Sequence, residues 1–338
     1  MKKAMISNNS SVINSFPNVR LRRLRTTAAV RDLLQETRLS PKDLISPIFV
    51  HEGLKKTQEI PSMPDIQHIP ISKLVVEVDR IMEVGISAII LFGLPLQKDA
   101  SAKSAFNDTG IVQKSIELLR KQFGSKVAII TDVCLCQYTS HGHCGLVINK
   151  KIDNDKTIEA LAKVAVSHAK AGADIVAPSA MMDGQVQALR TALDNTGFAD
   201  VAIMGYSAKQ ASALYAPFRD AAYCAPEFGD RRTYQMPFSN GREAMREIET
   251  DIAEGVDIVM IKPAIPCLDL VYAVRQTTYV PICAYSVSGE YALIKAAAIK
   301  GWIDENSVMT EFITSIKRAG ANMIITYYAK RMAELLNR

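Results

Sequence analysis

Residues 254–263 read Glu-Gly-Val-Asp-Ile-Val-Met-Ile-Lys-Pro, and this stretch decides the fold. Gly255 is typical of the left-handed turn that ends a helix, and the apolar run after it is typical of a strand buried on both faces. The same unit of helix, Gly and apolar strand recurs three times. The recurrences are Val84-Gly85 before residues 87–92, Ala171-Gly172 before 174–177, and Ala319-Gly320 before 323–327. The unit predicts parallel strands that are connected by helices.

Further apolar segments complete an alternation of strands and helices. Strands are predicted over residues 45–50, 126–132, 201–206 and 280–285. Helices are predicted over residues 155–171, with Asp153 or Asp155 as N-cap, and over 183–196, 241–254, 266–276, 289–300 and 305–319. Eight strands that alternate with helices favour one (β/α)8 TIM barrel, an α/β fold, although a doubly wound open sheet is the alternative.

Two segments fall outside the repeat. Residues 1–40 predict an N-terminal arm with a short helix near 28–37, and its Arg20, Arg22, Arg23 and Arg25 suit a solvated or subunit-packing role. Residues 210–240 are a long insertion after the fifth strand, and insertions of this length are often active-site lids. We therefore expect one catalytic barrel over residues 41–338 with an arm and a lid, although a length of 338 residues suggests two domains.

Composition narrows the class of protein. The net charge of +5 comes from 40 basic and 35 acidic residues, and most of the basic residues are scattered between acids, which disfavours a nucleic-acid partner. No apolar run approaches the roughly 20 residues that span a bilayer. Met1-Lys2-Lys3 is followed by polar residues, which disfavours a secretory signal. We expect a cytoplasmic protein with reduced thiols, whose clustered cysteines are candidates for metal binding or catalysis.

Three of the six cysteines form the pattern C-x-C-x7-C directly after the third predicted strand. Cys134, Cys136 and Cys144 place three soft ligands near one point, with His141 and His143 between them. Three ligands and an open fourth position are typical of catalytic zinc. A structural Cys3His site that uses His143, or three unpaired cysteines, remain alternatives. The other three cysteines are interpreted as bystanders.

Two lysines follow neighbouring predicted strands. Lys209 ends the fifth strand and Lys262 the sixth, so both belong at the C-terminal mouth, where barrels carry their active sites. Burial and a second ammonium both lower the pKa of a lysine, and a free amine forms Schiff bases with ketones. Either lysine could instead be salt-bridged or reach solvent. The insertion adds Arg219, Arg231 and Arg232, which suit a carboxylate substrate, or a solvated surface.

Several long motifs resemble the porphobilinogen synthase, or δ-aminolevulinate dehydratase, family. The most specific is Thr131-Asp-Val-Cys-Leu-Cys-Gln-Tyr-Thr-Ser-His-Gly-His-Cys144, and others are Ala177–Gly184, Met260–Pro263 and Val287–Tyr291. The matching motifs span nearly the whole chain. The resemblance implies a lyase of heme biosynthesis that condenses two 5-aminolevulinate molecules to porphobilinogen with loss of two waters. It also implies a (β/α)8 barrel whose arm embraces a neighbouring subunit, usually in a homo-octamer.

The resemblance assigns site residues by position. Lys262 forms the principal Schiff base, and Lys209 is a base or a second imine former. Cys134, Cys136 and Cys144 hold zinc. One substrate carboxylate is bound by Arg219, Arg231 and Gln235 with Lys209, and the other by Ser288 and Tyr327. Asp132, a further catalytic residue, lines the pocket with Ser179, Tyr215 and Phe218.

Metal use varies within this family. Because all three cysteines are present, the resemblance implies zinc dependence. An accessory zinc site would need a cysteine where Thr233 stands, so it is not expected, although His143 is present. Glu247 occupies the position that binds an allosteric magnesium in bacterial relatives, and a solvated helix residue is the alternative reading.

Two other functions are compatible with parts of the pattern. A class I aldolase also uses a lysine imine in a barrel, but it needs no zinc. A zinc-stabilised scaffold would use the cysteines and have no activity, and it would unfold on chelation.

Overall fold

Eight parallel strands form a closed barrel in the computed structural model, which describes residues 16–338. The strands are β1 Leu44–His51, β2 Ala88–Leu94, β3 Ala128–Val133, β4 Ile175–Pro178, β5 Ala202–Lys209, β6 Ile258–Lys262, β7 Ile282–Ser286 and β8 Met323–Thr326. Each strand pairs with the next in chain order, and β8 returns to β1 with Leu44 opposite Ile324. The predicted TIM barrel is confirmed, and the open sheet is wrong because the sheet has closed.

Helices cover the outside of the barrel. They are Ile71–Glu83, Ile111–Phe123, Asn154–Ala171, Gln185–Asn195, Gly241–Ala253, Leu268–Thr277, Ser288–Ile299, Glu305–Ala319 and Ala329–Leu336. Asp153 caps Asn154–Ala171 by accepting a hydrogen bond from the Lys156 amide at 3.0 Å. Gly172 and Gly320 follow their helices with φ of +108° and +127°, so the glycines of the repeated unit make the predicted left-handed turns.

Additional elements lie between the barrel strands. Gln67–Pro70 pairs with the end of β1 and, antiparallel, with Gln58–Glu59, and a small hairpin joins Val147–Ile148 to Lys151–Ile152. These strands have only two to four residues, too few to show an alternating pattern.

The N-terminal residues form a unit that ends at Arg38, and the barrel begins with Leu39. From residue 16 onward this unit contains a short 3-10 helix, Leu21–Arg25, and a helix, Ala28–Leu33, which Thr27 caps through the Val30 amide. Neither helix contains a buried residue. The first fifteen residues of the predicted arm lie outside the described residues. Packing of the arm on another subunit stays a prediction.

The insertion, residues 210–240, is an ordered segment that we call the lid segment. It contains a short turn of helix, Ala213–Tyr215, and the helix Ala216–Ala221, and its two ends meet where the Ala211 amide donates to the Met236 carbonyl at 2.7 Å. Several of its side chains are buried, which is characteristic of a compact surface loop whose ends are close. The buried ones include Tyr215, Cys224, Arg231, Gln235 and Met236.

The helices of residues 16–338 include none that is long and apolar enough to cross a membrane.

Candidate active site

Two buried lysines lie side by side at the C-terminal mouth of the barrel. Lys209 and Lys262 are register partners on the paired strands β5 and β6. Between the pairs Gly205–Val259 and Ala208–Ile261, β5 has one more residue than β6, so a bulge interrupts the regular pairing. Bulges beside active sites redirect side chains that regular alternation would point elsewhere. This irregularity immediately precedes Lys209.

Aromatic rings surround the Lys262 amine. Its Nζ lies 4.0 Å from the centre of the Tyr285 ring and 5.2 Å from the centres of the Tyr206, Tyr215 and Phe218 rings. Burial in this apolar environment, and secondly the charge of Lys209, lower the pKa of Lys262 to about 7, whereas Asp132 acts in the opposite direction. A substantial fraction of Lys262 is therefore a free amine at neutral pH, in the direction that the sequence predicts.

Asp132 and Ser179 complete the polar part of this mouth. The Lys209 Nζ donates a hydrogen bond to the Ser179 carbonyl. Gln137 Nε2 donates to Asp132 Oδ2 at 3.0 Å, and burial raises the pKa of the Asp132 carboxyl above its usual range. The mouth thus contains an amine, Lys262, and a carboxyl, Asp132, whose pKa values are both shifted toward neutral pH.

The three predicted cysteine ligands meet in one buried cluster. The sulfur atoms of Cys134, Cys136 and Cys144 all lie within 4.8 Å of one another, with 3.4 Å between the first two. Tetrahedral zinc with Zn–S bonds of about 2.3 Å requires S···S separations of about 3.8 Å. Small shifts of the three sulfur atoms would therefore accommodate the ion. Burial raises the pKa of the Cys134 thiol, and a bound dication would favour its thiolate form.

His143 does not join this cluster. Its Nδ1 lies 3.1 Å from the Tyr234 hydroxyl, and its Nε2 lies 2.9 Å from the Phe228 carbonyl oxygen. Both ring nitrogens are therefore used within the protein. Among the described residues, the only group of three or more potential ligands is the three cysteines. This geometry favours the three-cysteine set over the Cys3His alternative, and the ligand set stays a prediction.

Several residues of the predicted carboxylate site have buried polar atoms without a hydrogen-bond partner among the described residues. The Nε atoms of Arg219 and Arg231 and both amide atoms of Gln235 are buried without a hydrogen-bond partner in the described part of the chain. A buried polar group without a partner costs about 1–3 kcal/mol, and a carboxylate would supply partners to these donors. Binding of a carboxylate here stays a prediction. Arg232 is instead exposed and lies 3.6 Å from Asp230, which agrees with the solvated alternative for this arginine.

The residues predicted for the other carboxylate connect the mouth to the lid segment. Ser288 Oγ accepts a hydrogen bond from the Phe218 amide at 3.0 Å and lies 3.2 Å from the Leu214 carbonyl. The Tyr327 hydroxyl lies 3.0 Å from that of Tyr285. Tyr215 also lies here, because its hydroxyl donates to the Lys262 carbonyl at 3.1 Å. Ligand binding by Ser288 and Tyr327 stays a prediction.

Glu247 lies on the helix Gly241–Ala253. It is half-buried and lines a cavity of about 790 Å³ together with Glu243 and Asp251, and the lining includes neither lysine. Burial and then the neighbouring carboxylates of Asp183 and Glu243 raise the pKa of Glu247. A cation would relieve this repulsion, but magnesium binding stays a prediction.

Comparison with known proteins agrees with this geometry. Residues 18–335 match the family model described as delta-aminolevulinic acid dehydratase. The chain belongs to the delta-aminolevulinic acid dehydratase family. Two relatives bearing that name are those of Halalkalibacterium halodurans, 52% identical over 94% of this chain and 97% of that protein, and of Bacillus subtilis, 50% identical over 94% and 98%.

A solved structure shares both the fold and the sequence. The delta-aminolevulinic acid dehydratase of Toxoplasma gondii, in complex with the reaction product porphobilinogen, has a TM-score of 0.91 and 43% identity, over 94% of this chain and 91% of that one. As a member of the family, the chain is an enzyme, a lyase of porphyrin biosynthesis. The aldolase and the inactive scaffold are therefore wrong.

Sequence reasoning missed two features of this dehydratase site. Cys224, interpreted as a bystander, is buried next to the cluster, where its thiol interacts with that of Cys136. It lies 80 residues beyond Cys144, so no local spacing could link it to the other cysteines. The rings of Tyr206 and Tyr285 around Lys262 were also not predicted as site residues, although aromatic side chains near two strand ends were a usable signal.

Proposed function

We propose that this chain condenses two molecules of 5-aminolevulinate to porphobilinogen, with loss of two waters, through a Schiff base on Lys262. The observation that carries the proposal is the pair of register-matched lysines, of which Lys262 has a pKa of about 7 inside an aromatic enclosure. A neutral amine can attack a ketone, whereas an ammonium cannot. Family membership and the product named for the Toxoplasma gondii relative support the same reaction.

Lys262 begins the reaction in this proposal. Its free amine adds to the ketone carbon of the first 5-aminolevulinate, and loss of water gives an imine that withdraws electrons from the adjacent carbon. Lys209, the neighbouring residue on β5, then acts as a base or forms a second imine. The buried Asp132, whose pKa is raised, holds or accepts a proton close to the same amines.

The three cysteines suit a zinc ion that serves the second substrate. Zinc held by Cys134, Cys136 and Cys144 would act as a Lewis acid on the carbonyl of that molecule or lower the pKa of a bound water or amine. The closeness and burial of the three sulfur atoms support this assignment, and a thiolate-rich set favours zinc over magnesium.

Arginine and amide groups bind the substrate carboxylates in this proposal. Arg219, Arg231 and Gln235 with Lys209 bind one carboxylate, which would give a partner to the buried donors that now lack one. Ser288 and Tyr327 bind the other. Ser179, Tyr215 and Phe218 then shape the pocket between the two substrates.

Regulation and assembly follow the family pattern in the same proposal. Magnesium binds allosterically at Glu247, where burial and then several neighbouring carboxylates raise the pKa of that residue. The N-terminal arm packs on a neighbouring subunit in a homo-octamer, and the enzyme works in the cytoplasm without nucleic-acid or membrane partners.

Incubation of the purified full-length chain with 5-aminolevulinate tests the reaction. We expect a pyrrole to accumulate, as measured by a colour reaction with an aromatic aldehyde, in a zinc-supplemented and reducing buffer. Chelation should stop pyrrole formation while circular dichroism shows that most of the fold persists. Absence of a pyrrole from folded, zinc-loaded protein would contradict the proposed reaction.

A further inference from the structure

The loop that carries the cysteines and the lid segment are joined by hydrogen bonds. We call residues 134–144 the cysteine loop. The Glu227 amide of the lid segment donates to the His141 carbonyl at 3.1 Å. The hydroxyl of Tyr234, also in the lid segment, accepts from the Cys144 amide at 3.4 Å. A backbone group of a predicted metal ligand is thus bonded to the lid segment.

His143 contacts the lid segment with both of its ring nitrogens. It is 3% exposed, its two nitrogens lie within hydrogen-bond distance of Tyr234 and Phe228, and its ring centre is 4.6 Å from that of Phe228. It directly precedes Cys144 in the chain. A movement of the Cys144 backbone would therefore also displace the His143 side chain, which is within hydrogen-bond distance of Tyr234 and Phe228.

Arg231 fastens the same boundary at a second point. Its Nη2 donates to the carbonyl of Gly142 at 2.9 Å and to that of Cys224 at 2.5 Å, so one guanidinium joins the cysteine loop to the lid segment. The two backbones are so close that a Cβ atom on Gly142 would collide with the carbonyl oxygen of Ala225. Only a glycine at residue 142 permits this approach.

The lid segment also contains residues of the proposed carboxylate site. Arg231, which bonds to the cysteine loop, and Gln235, which follows Tyr234, have buried polar atoms without a partner among residues 16–338. Because these residues are bonded to the cysteine loop or lie next to a residue that is, a movement of the loop would also displace the proposed carboxylate site.

We propose that metal loading of the cysteine cluster and closure of the lid segment are coupled, and that His143 is the positioning residue that connects them. The proposal rests on the metal role assigned above to Cys134, Cys136 and Cys144. An ion held by these three residues restrains the cysteine loop at both ends, and thus keeps His143 facing Tyr234 and Phe228. Without the ion the loop samples other conformations, and the lid segment loses partners. By linkage, a closed lid segment must in turn raise the affinity for the metal.

Hydrogen–deuterium exchange of the full-length protein, read by mass spectrometry, tests the coupling without using activity. Peptides that cover residues 224–235 should exchange about tenfold faster after chelation, as expected when about 1.4 kcal/mol of local hydrogen bonding is lost, and should recover when zinc is added back. Peptides from the helix Glu305–Ala319, on the other side of the barrel, should exchange equally fast in the zinc-loaded and the chelated protein. That constancy distinguishes opening of the lid segment from global unfolding.

Two variants test the assignment to His143. His143→Ala and Tyr234→Phe should keep the zinc stoichiometry of the unmodified protein, bind zinc several-fold more weakly in competition with a chromogenic chelator, and exchange faster over residues 224–235 when zinc-loaded. Tyr272→Phe is the matched control, because Tyr272 is exposed on the helix Leu268–Thr277, outside both the cysteine loop and the lid segment, and it should resemble the unmodified protein. If His143→Ala does not fold, Tyr234→Phe alone decides the question.

Each remaining outcome overturns a distinct part of the proposal. If the unmodified protein binds no zinc, the proposed metal role fails and the coupling fails with it. If zinc binds but exchange over residues 224–235 is the same with and without it, only the coupling is wrong. Loss of zinc stoichiometry in folded His143→Ala would make His143 a ligand and overturn its positioning role.

Discussion

At the scale of single residues, function depends on the proton affinity of Lys262. Tyr206, Tyr215, Phe218 and Tyr285 exclude water from its amine, and the second cation, Lys209, adds a smaller effect of the same sign. Both favour the neutral form, and the neutral form is the nucleophile. Imine formation should therefore increase as the pH rises through about 7, and then level off.

Replacement of Lys209 tests the electrostatic part of this explanation. In Lys209→Met the second positive charge is absent, so the pKa of Lys262 should rise and borohydride trapping of 5-aminolevulinate on Lys262 should require a higher pH. Lys209→Arg keeps the charge and should trap with a pH profile close to that of the unmodified protein. Identical profiles for the Met and Arg variants would show that Lys209 has no influence on the Lys262 amine.

Arg219 offers a test of carboxylate binding with a close control. Arg219→Gln should raise KM about 10- to 100-fold, because a charge-assisted hydrogen bond to a carboxylate contributes about 1.5–3 kcal/mol. Arg232→Gln, in the same lid segment but exposed, should leave KM unchanged. Steady-state kinetics of pyrrole formation gives both values, and equal KM values for the two variants would contradict the assignment.

At the scale of loops, strands and helices, the cysteine loop combines metal binding with contacts to the lid segment. Replacement of any one of the three cysteines by Ala should remove most bound zinc, measured by atomic emission after gel filtration, because two thiolates hold the ion poorly. Cys283→Ala is the control, because Cys283 is buried within β7 and should leave the zinc content unchanged. Full zinc occupancy in Cys134→Ala would contradict the three-thiolate site.

The fold was inferred from glycines that end helices in a left-handed turn, and substitution of one of them tests that inference. Gly320 has a φ of +127°, and an added Cβ would lie 2.7 Å from the Cβ of Arg275. Gly320→Ala should therefore reduce the free energy of unfolding by about 1–2 kcal/mol or more. Gly241→Ala, where a Cβ meets only Leu270 at 3.5 Å, should change it little. Denaturant titrations of both variants compare the two directly.

Strands and helix ends could be predicted from the sequence where burial or a turn requirement acts on neighbouring residues. The strands are buried on both faces, so β-branched residues accumulate over each of them, and glycine marks the preceding turn. The bulge in β5 could not be predicted, because it is defined only relative to the register of β6. The pair of strands Gln58–Glu59 and Gln67–Pro70 was missed because neither is long enough to show a period.

At the scale of the whole molecule, one mouth of the barrel collects side chains from distant parts of the sequence. Asp132, Lys209 and Lys262 could be assigned to it, because strand ends in a parallel barrel share one rim. The position of Cys224 and the two lid contacts of His143 could not, because they depend on how residues 210–240 fold back over the mouth. The arginines show the same limit: Arg231 is buried and the adjacent Arg232 exposed.

Borohydride trapping with peptide mapping tests the central claim most directly. The zinc-loaded, full-length protein is incubated with 5-aminolevulinate at pH 8, reduced, digested and analysed by mass spectrometry. We predict a stable substrate adduct on the peptide that contains Lys262, and none on that peptide when Lys262→Arg is treated in the same way. An adduct confined to other peptides, or no adduct in protein that forms the pyrrole, would contradict the role of Lys262.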